Sequence, residues 1–225
     1  MTWHEWIRGT EIEPSLYAAN FAILGSQIED LCRAGCRIFH FDIGDGHFIE
    51  PVTIGPVVLE SISPIVHRYQ GALDVHLMVD DPTKYFAPVA AAGGDSVTFH
   101  YEAVADMPET VQAAREQELQ VGIAFNPETE PEEVAAVATE ADLVLCMGIH
   151  PGYSGQPFRD ETYERVATLR AALPDNVYVQ VDGGIGADNI RRLYDEGVRL
   201  FVAGSAIFAR EDLPRAYRRL VQALA

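Results

Sequence analysis

The chain has 225 residues with 34 acidic against 16 basic side chains, a formal net charge of −18. That balance argues against nucleic acid or an anionic membrane surface as partner, since both call for a basic face. A small anionic substrate is still allowed, because backbone N–H groups and helix N-termini bind phosphate without a basic protein around them.

Apolar residues make up 48%, with no low-complexity tract and no apolar run long enough to span a bilayer. The opening "MTWHEWIRGTEIEPS" lacks the basic-then-apolar order of a secretion signal, so a soluble cytoplasmic protein is expected, with a single domain over 1–225. Three cysteines, Cys32, Cys36 and Cys146, are too few for a disulfide framework. Cys32 and Cys36 have no matching pair nearby that would complete a zinc site, and buried free thiols are expected.

In chain order, β-rich runs are predicted at 11–16, 37–43, 73–79, 96–101, 120–125, 143–149, 177–181 and 200–203. Between them lie segments of helical periodicity, such as "FAILGSQIEDLCRAG", "PTKYFAPVAAAGG", "PEEVAAVATEA" and "ETYERVATLRAAL". Gly35, Gly93 and Gly197 are the expected helix stops, and the acidic run "PETEPEE" reads as a helix N-terminus. Eight such alternations without a composition break predict an α/β fold, a single (β/α)₈ TIM barrel of the phosphate-binding type. A doubly wound sheet would place a glycine-rich turn after strand one, yet strand one runs into "PSLYAANF". The glycine-rich turns come after strands six, seven and eight.

In such a barrel the strand C-termini build the active site. Strand two carries His40 and Asp42 at i and i+2, on one face; strand three carries His76; strand seven ends at Asp182. Two His and two Asp at one mouth make a four-ligand site for one divalent metal ion such as Zn, Mn, Fe or Co. The plainer alternative is a set of mutually hydrogen-bonded core residues. The late loops "HPGYSGQPF" (150–158), "DGGIG" (182–186) and "AGSAIF" (203–208) expose backbone donors where such barrels hold phosphate. His47, His100, Glu102 and His150 are weaker candidates for substrate contact, while His4 and His67 are expected in solvent.

"PSLYAANF", "HFDIGDGHF", "LDVHLMV", "GIAFNPET", "HPGYSGQPF", "VDGGI" and "VAGSAIF" resemble the ribulose-phosphate 3-epimerase family in order and spacing, from about Ile12 onward. The resemblance implies a ribulose-phosphate-binding barrel that interconverts D-ribulose 5-phosphate and D-xylulose 5-phosphate. It implies His40, Asp42, His76 and Asp182 as ligands of a divalent ion, and Asp42 and Asp182 as the two acid/base carboxylates. Ser15, Met78, Met147, Gly152, Tyr153, Ser154, Gly155, Gly183, Gly184, Gly204 and Ser205 correspond to substrate and phosphate contacts, and a homo-oligomer is implied. Epimerisation at C3 removes the proton α to the C2 ketone and returns one on the other face, which needs one base on each side.

The chain departs from the family pattern at Gly44, where a methionine is usual, and at Ile49-Glu50-Pro51, His150, Tyr153-Ser154, Tyr17 and Asn20. Loss of the thioether at Gly44 is expected to leave a roomier pocket, which would suit a hexulose 6-phosphate such as D-allulose 6-phosphate. A phosphosugar-binding barrel without turnover is the alternative from another class. A decarboxylase or aldolase finds little support, because the one lysine, Lys84, precedes a helix.

Overall fold

The strand-forming runs have no polar face to turn to water. Every residue of β2 (Ile38–Gly44) and β3 (Ala72–Met78) is buried, the pattern of a parallel sheet covered by helices. The computed structural model describes residues 2–7, 9–153 and 155–224. It adds β1 (Glu11–Pro14), β4 (Ser96–His100), β5 (Gln120–Phe125), β6 (Leu143–Met147), β7 (Tyr178–Asp182) and β8 (Leu200–Ala203) to one eight-stranded sheet in the order β1-β8-β7-β6-β5-β4-β3-β2. All neighbours are parallel. A bridge between Ser15 and His40 brings β1 beside β2 and nearly closes the sheet. This is the (β/α)₈ TIM barrel that the alternation of runs predicts.

The helices are α1 (Trp3–Trp6), α2 (Leu24–Arg33), α3 (Pro56–Arg68), α4 (Thr83–Ala91), α5 (Met107–Arg115), α6 (Pro131–Val137), α7 (Glu161–Ala172), α8 (Ile190–Asp195), α9 (Ser205–Phe208) and α10 (Leu213–Leu224). Gly35, Gly93 and Gly197 follow helix ends at positive φ, as expected of helix stops. Glu132 and Glu133 lie in the first turn of α6, where the helix dipole favours them. Strand one is shorter than its apolar run, because the Ser15 carbonyl accepts from Ala18 N–H at 3.2 Å and turns the chain into the 3₁₀ segment Leu16–Ala18. The cysteines are free, with Cys36 and Cys146 buried. No helix among the described residues is long and apolar enough to cross a membrane.

Alternate strand positions face opposite sides. One set, including Phe39, Phe41, Val75, Leu77, Phe99 and Val179, packs in the core cluster shared with the helices. The other set fills the barrel in levels. At the N-terminal end Ile38, Ala72, Leu143 and Leu200 form an apolar level, joined by Trp3 and Trp6 of α1, whose rings meet edge-on at 5.0 Å. This plug at the bottom of the barrel has no counterpart in the sequence reading.

The next level is polar and wholly buried: Glu13, His40, Asp74, Ser96, Thr98 and Gln180. Asp74 is its hub. Its Oδ1 accepts from Ser96 Oγ at 2.8 Å and Thr98 Oγ1 at 3.2 Å, and its Oδ2 accepts from Gln180 Nε2 at 3.0 Å and lies 3.1 Å from His40 Nδ1. Gln180 Nε2 also donates to Glu13 Oε2 at 2.8 Å. Burial pushes the Glu13 carboxyl up to about 8 against the hydrogen bond and charge of His40, so it is a neutral acid at pH 7.

A pKa raised from 4.5 to about 8 on folding means that the unfolded chain releases this proton while the folded chain keeps it. The linked stability is therefore present at low pH and lost as pH rises through that window, by at most about 1.4 kcal/mol per pH unit. Glu13→Gln should flatten this fall. Urea unfolding of the metal-free protein at about pH 5 and about pH 8 would read it, and equal losses in parent and variant would mean that Glu13 is ionised in the fold.

Candidate active site

Register aligns Asp42 with His76 across β2 and β3, and His40 with Asp74 one level below. His40 Nε2 and His76 Nδ1 each lie 3.4 Å from Asp42 Oδ1, and His76 Nδ1 lies 3.9 Å from Asp182 Oδ2. His40, Asp42, His76 and Asp182 each offer one ligand atom, all within 4.8 Å of one another. The far ring nitrogens are engaged elsewhere: His40 Nδ1 faces Asp74, and His76 Nε2 is 2.9 Å from His100 Nε2. The near nitrogens, His40 Nε2 and His76 Nδ1, are buried without a hydrogen-bond partner among the described residues. Two orphaned imidazole nitrogens and two carboxylates aimed at one point fit a divalent ion of the kind that accepts mixed nitrogen and oxygen donors. Glu13, His40 and Asp74 also approach one another. Here, however, His40 Nδ1 already faces Asp74 directly and Gln180 Nε2 bridges the Glu13 and Asp74 carboxyls.

The electrostatics separate the two carboxyls. Burial opposes the charge on Asp42, yet His40 and then His76 hold it well below the usual carboxylate range. Burial pushes Asp182 up to about 7; His40 pulls it back and the Asp42 charge adds to the rise. Burial also opposes protonation of His40, but Asp42, Asp74 and Glu13 together raise it well above an ordinary histidine. His76 is lowered by burial, and His100 is lowered by burial to about 4. The pair Asp42 and Asp182 thus combines an ionised carboxyl with one poised to hold a proton near neutral pH.

One pocket at the barrel mouth gathers Asp42 and Asp182 with Ser15, Met78, Met147, Gly152, Tyr153, Gly155, Gly183, Gly184, Gly204 and Ser205. Ser154 lies outside the described residues. Ser15 Oγ donates to Asp42 Oδ2 at 2.7 Å. Tyr17, Ile149, Pro151, Ile185 and Val202 line the same pocket; apart from Tyr17, nothing in their type or spacing distinguishes them from core. Gly184 has φ 68°, and a Cβ there would sit 2.7 Å from Phe158 Cα, so the loop after β7 passes this close to the loop after β6 only with glycine.

The weaker candidates fall elsewhere. His100 is fully buried behind His76 rather than in the pocket, bonded through Nδ1 to Glu102 Oε2 at 3.3 Å. His150 is exposed, 3.1 Å from Arg159 and 3.4 Å from Glu128. His47 is exposed, while Asp45 accepts backbone N–H bonds from His47, Phe48 and Asp80 at 2.8, 2.9 and 2.9 Å and so shapes the loop after β2. His4 is exposed and 2.8 Å from the Tyr178 hydroxyl; His67 is 2.9 Å from Asp95.

Known proteins share this arrangement of sequence. The Ribulose-phosphate 3 epimerase family model matches residues 11–208. The chain belongs to the ribulose-phosphate 3 epimerase family. Ribulose-phosphate 3-epimerase from Bacillus subtilis (strain 168) is 33% identical over 210 residues, covering 92% of this chain and 95% of that protein. The enzyme of the same name from Escherichia coli (strain K12) is 34% identical over 217 residues, covering 95% and 96%. The crystal structure of orotidine 5'-phosphate decarboxylase from Pyrococcus horikoshii OT3 superposes with a TM-score of 0.68 at 15% identity, over 95% of this chain and 98% of that one, and shares the fold alone. The family is one of isomerases, of the epimerase type, as the sequence resemblance implies.

The room expected beside Gly44 is not there. A Cβ on Gly44 would collide with Ile49 Cδ1 and lie 3.0 Å from Ile49 Cγ1 and 3.1 Å from the Pro51 carbonyl oxygen. Two departures from the epimerase pattern therefore compensate each other: the loop after β2 folds the buried Ile49 side chain over the glycine. Thr53 pins this loop, with Oγ1 donating to the Asp42 carbonyl and accepting from Gly44 N–H, both at 2.7 Å.

Restoring a side chain at Gly44 should then cost stability by overpacking. Gly44→Met is expected to destabilise by about 1–3 kcal/mol, and Ile49→Ala in the same chain should recover at least half of that loss. A double-mutant cycle read from denaturant midpoints checks it; additive losses would mean that the two side chains do not compete for the space.

Proposed function

We propose that this chain interconverts D-ribulose 5-phosphate and D-xylulose 5-phosphate by proton transfer at C3, using Asp42 and Asp182 as the two acid/base groups. The observation that carries the reading is the pairing of these two carboxyls in one pocket, beside the glycine loops of an epimerase-family barrel. One carboxylate takes the C3 proton and becomes a carboxylic acid, and the C–H electron pair moves toward the C2 ketone. The other, already protonated, returns a proton to C3 on the opposite face. The two carboxyls exchange roles in each turnover, so the same geometry serves both directions.

His40, Asp42, His76 and Asp182 would hold one divalent ion, with Zn, Mn, Fe and Co all suited to this donor set. When bound, such an ion would supply positive charge to offset the negative charge that grows on the C2 oxygen as the proton leaves. Ser15 donates to Asp42 Oδ2 and fixes its orientation. The thioethers of Met78 and Met147 give the carboxyls an apolar wall that keeps water from competing for the proton. Backbone N–H groups at Gly184, Gly204 and Ser205, the last opening α9, would grip the phosphate, while the Gly183 N–H bonds the Asp182 carboxyl. A hexulose 6-phosphate has less to recommend it as substrate, since Ile49 fills the space that would favour a longer sugar.

Proton NMR of D-ribulose 5-phosphate in D₂O, with protein supplied with Zn²⁺ or Mn²⁺, should show deuterium entering C3 as D-xylulose 5-phosphate accumulates. Folded protein that binds the sugar phosphate without exchange at C3 would reduce the chain to a binding barrel. Asp42→Asn and Asp182→Asn should each lower kcat at least about 100-fold with the circular-dichroism spectrum unchanged. Turnover near the parent's in either variant would remove that carboxyl from the mechanism.

A further inference from the structure

His76 meets the site through Nδ1, and its Nε2 is 2.9 Å from Nε2 of His100, the two rings edge to edge with centroids 5.0 Å apart and planes within 19° of each other. Both side chains are fully buried. Of two imidazole nitrogens in hydrogen-bond contact, one must donate and the other accept, and the contact alone does not say which. The next link breaks the tie. Glu102, in the 3₁₀ turn Tyr101–Ala103 after β4, accepts the Asn126 N–H at 2.7 Å and the Thr129 hydroxyl through Oε1. Its Oε2 faces His100 Nδ1 at 3.3 Å. Burial opposes the charge on Glu102, but the bonds from His100, Thr129 and Asn126 hold its carboxyl down to about 2, so Oε2 accepts and His100 carries its proton on Nδ1. The lone pair of a neutral His100 is then on Nε2, where it receives Nε2–H of His76. His76 is left with a lone pair on Nδ1, directed at Asp42 and Asp182. Phe48, from the loop after β2, packs on the His100 ring at 4.6 Å and holds it in this orientation.

We infer that Glu102 and His100 are positioning residues that set the tautomer of His76 through a buried hydrogen-bond chain, and so decide which of its nitrogens can bind an ion. This rests on the reading of His76 as a metal ligand. It assigns to His100 and Glu102 a part quite different from substrate contact, and it ties the ion site to the loop after β5, which supplies Asn126 and Thr129. A histidine ligand whose outer nitrogen is anchored by a carboxylate is a general device for fixing ring orientation and basicity; here the anchor acts through a second histidine.

Glu102→Gln is the discriminating variant because it changes donors without changing shape. The glutamine carbonyl must take the Asn126 N–H, which turns the amide NH₂ toward His100 Nδ1. That nitrogen must then accept, Nε2 of His100 must donate, and His76 is driven to carry its proton on Nδ1. Long-range ¹H–¹⁵N spectra of the metal-free parent should show Nδ1–H on His100 and Nε2–H on His76, and the spectra of the variant should show both reversed. Zinc affinity, measured by competition with a chromophoric chelator, should fall about 10–100-fold in the variant, with KM for the sugar phosphate at saturating zinc unchanged. Reversed tautomers or a doubly protonated His100 in the parent would overturn the inference without any variant. So would a Glu102→Gln protein whose His76 tautomer is unchanged, even with weaker zinc binding, since lost negative charge alone would then be the cause. The tautomers are read without turnover, so a parent that binds no zinc would refute the metal reading while leaving this chain of hydrogen bonds to be judged separately.

Discussion

His40 sits between two carboxylates, with Asp74 3.1 Å from Nδ1 below and Asp42 3.4 Å from Nε2 above, and the organisation of the barrel interior follows from that contact. A buried ion without a partner costs several kcal/mol, and removing one member of a buried pair is more costly than never having built it. The lower half of the contact is met by Ser96, Thr98 and Gln180, which all donate to Asp74. Glu13 adds no charge there because its burial keeps it protonated. The upper half is left open, with two imidazole nitrogens that no described group satisfies. These two nitrogens face the carboxyls of Asp42 and Asp182, where the donor set that could hold a cation is gathered.

The loops around the mouth serve that opening. Asp45 ties the turn after β2 to the turn after β3 through the Asp80 N–H, and Thr53 clamps the end of β2 beside Asp42. The Tyr153 hydroxyl reaches Glu50 Oε2 at 3.1 Å, so the loops after β6 and β2 touch across the pocket. Ile49, between these contacts, takes the volume left by a missing side chain at Gly44. The loop is therefore part of the pocket wall, and its sequence and that of the strand end it covers constrain each other.

A decarboxylase that shares this fold at 15% identity makes plain that the barrel itself implies no reaction. What marks this chain is chemistry at three strand ends, all bearing groups that gain or lose protons, beside a pocket whose walls include glycine backbone and two thioethers. The net charge of −18 does not conflict with an anionic substrate, since the backbone amides that would meet its phosphate carry no formal charge.

The barrel was legible in the chain because its evidence is local. Eight β-rich runs alternate with periodic helical segments, and glycines stop the helices where φ must turn positive. The cluster of His40, Asp42, His76 and Asp182 was legible for a related reason: a strand end is a predictable place, and i, i+2 spacing puts side chains on one face. Other features depended on distances between segments far apart in sequence. His100 and Glu102 read as pocket residues because they end a strand, but the packing of β4 against β3 puts them behind His76. Gly44 read as a gap because nothing local says that Ile49 folds back over it. Glu13, Asp74 and Gln180 carry no signal in the sequence, as each is a polar residue in a buried strand and only closure of the barrel makes them neighbours. The sequence by itself determined the order of elements and the kind of chemistry at the mouth, since both rest on residue type and short-range periodicity. The tertiary structure alone decided which nitrogens are free, which carboxyls hold protons and how much room the pocket has, because each of these depends on burial and on partners brought together by the fold.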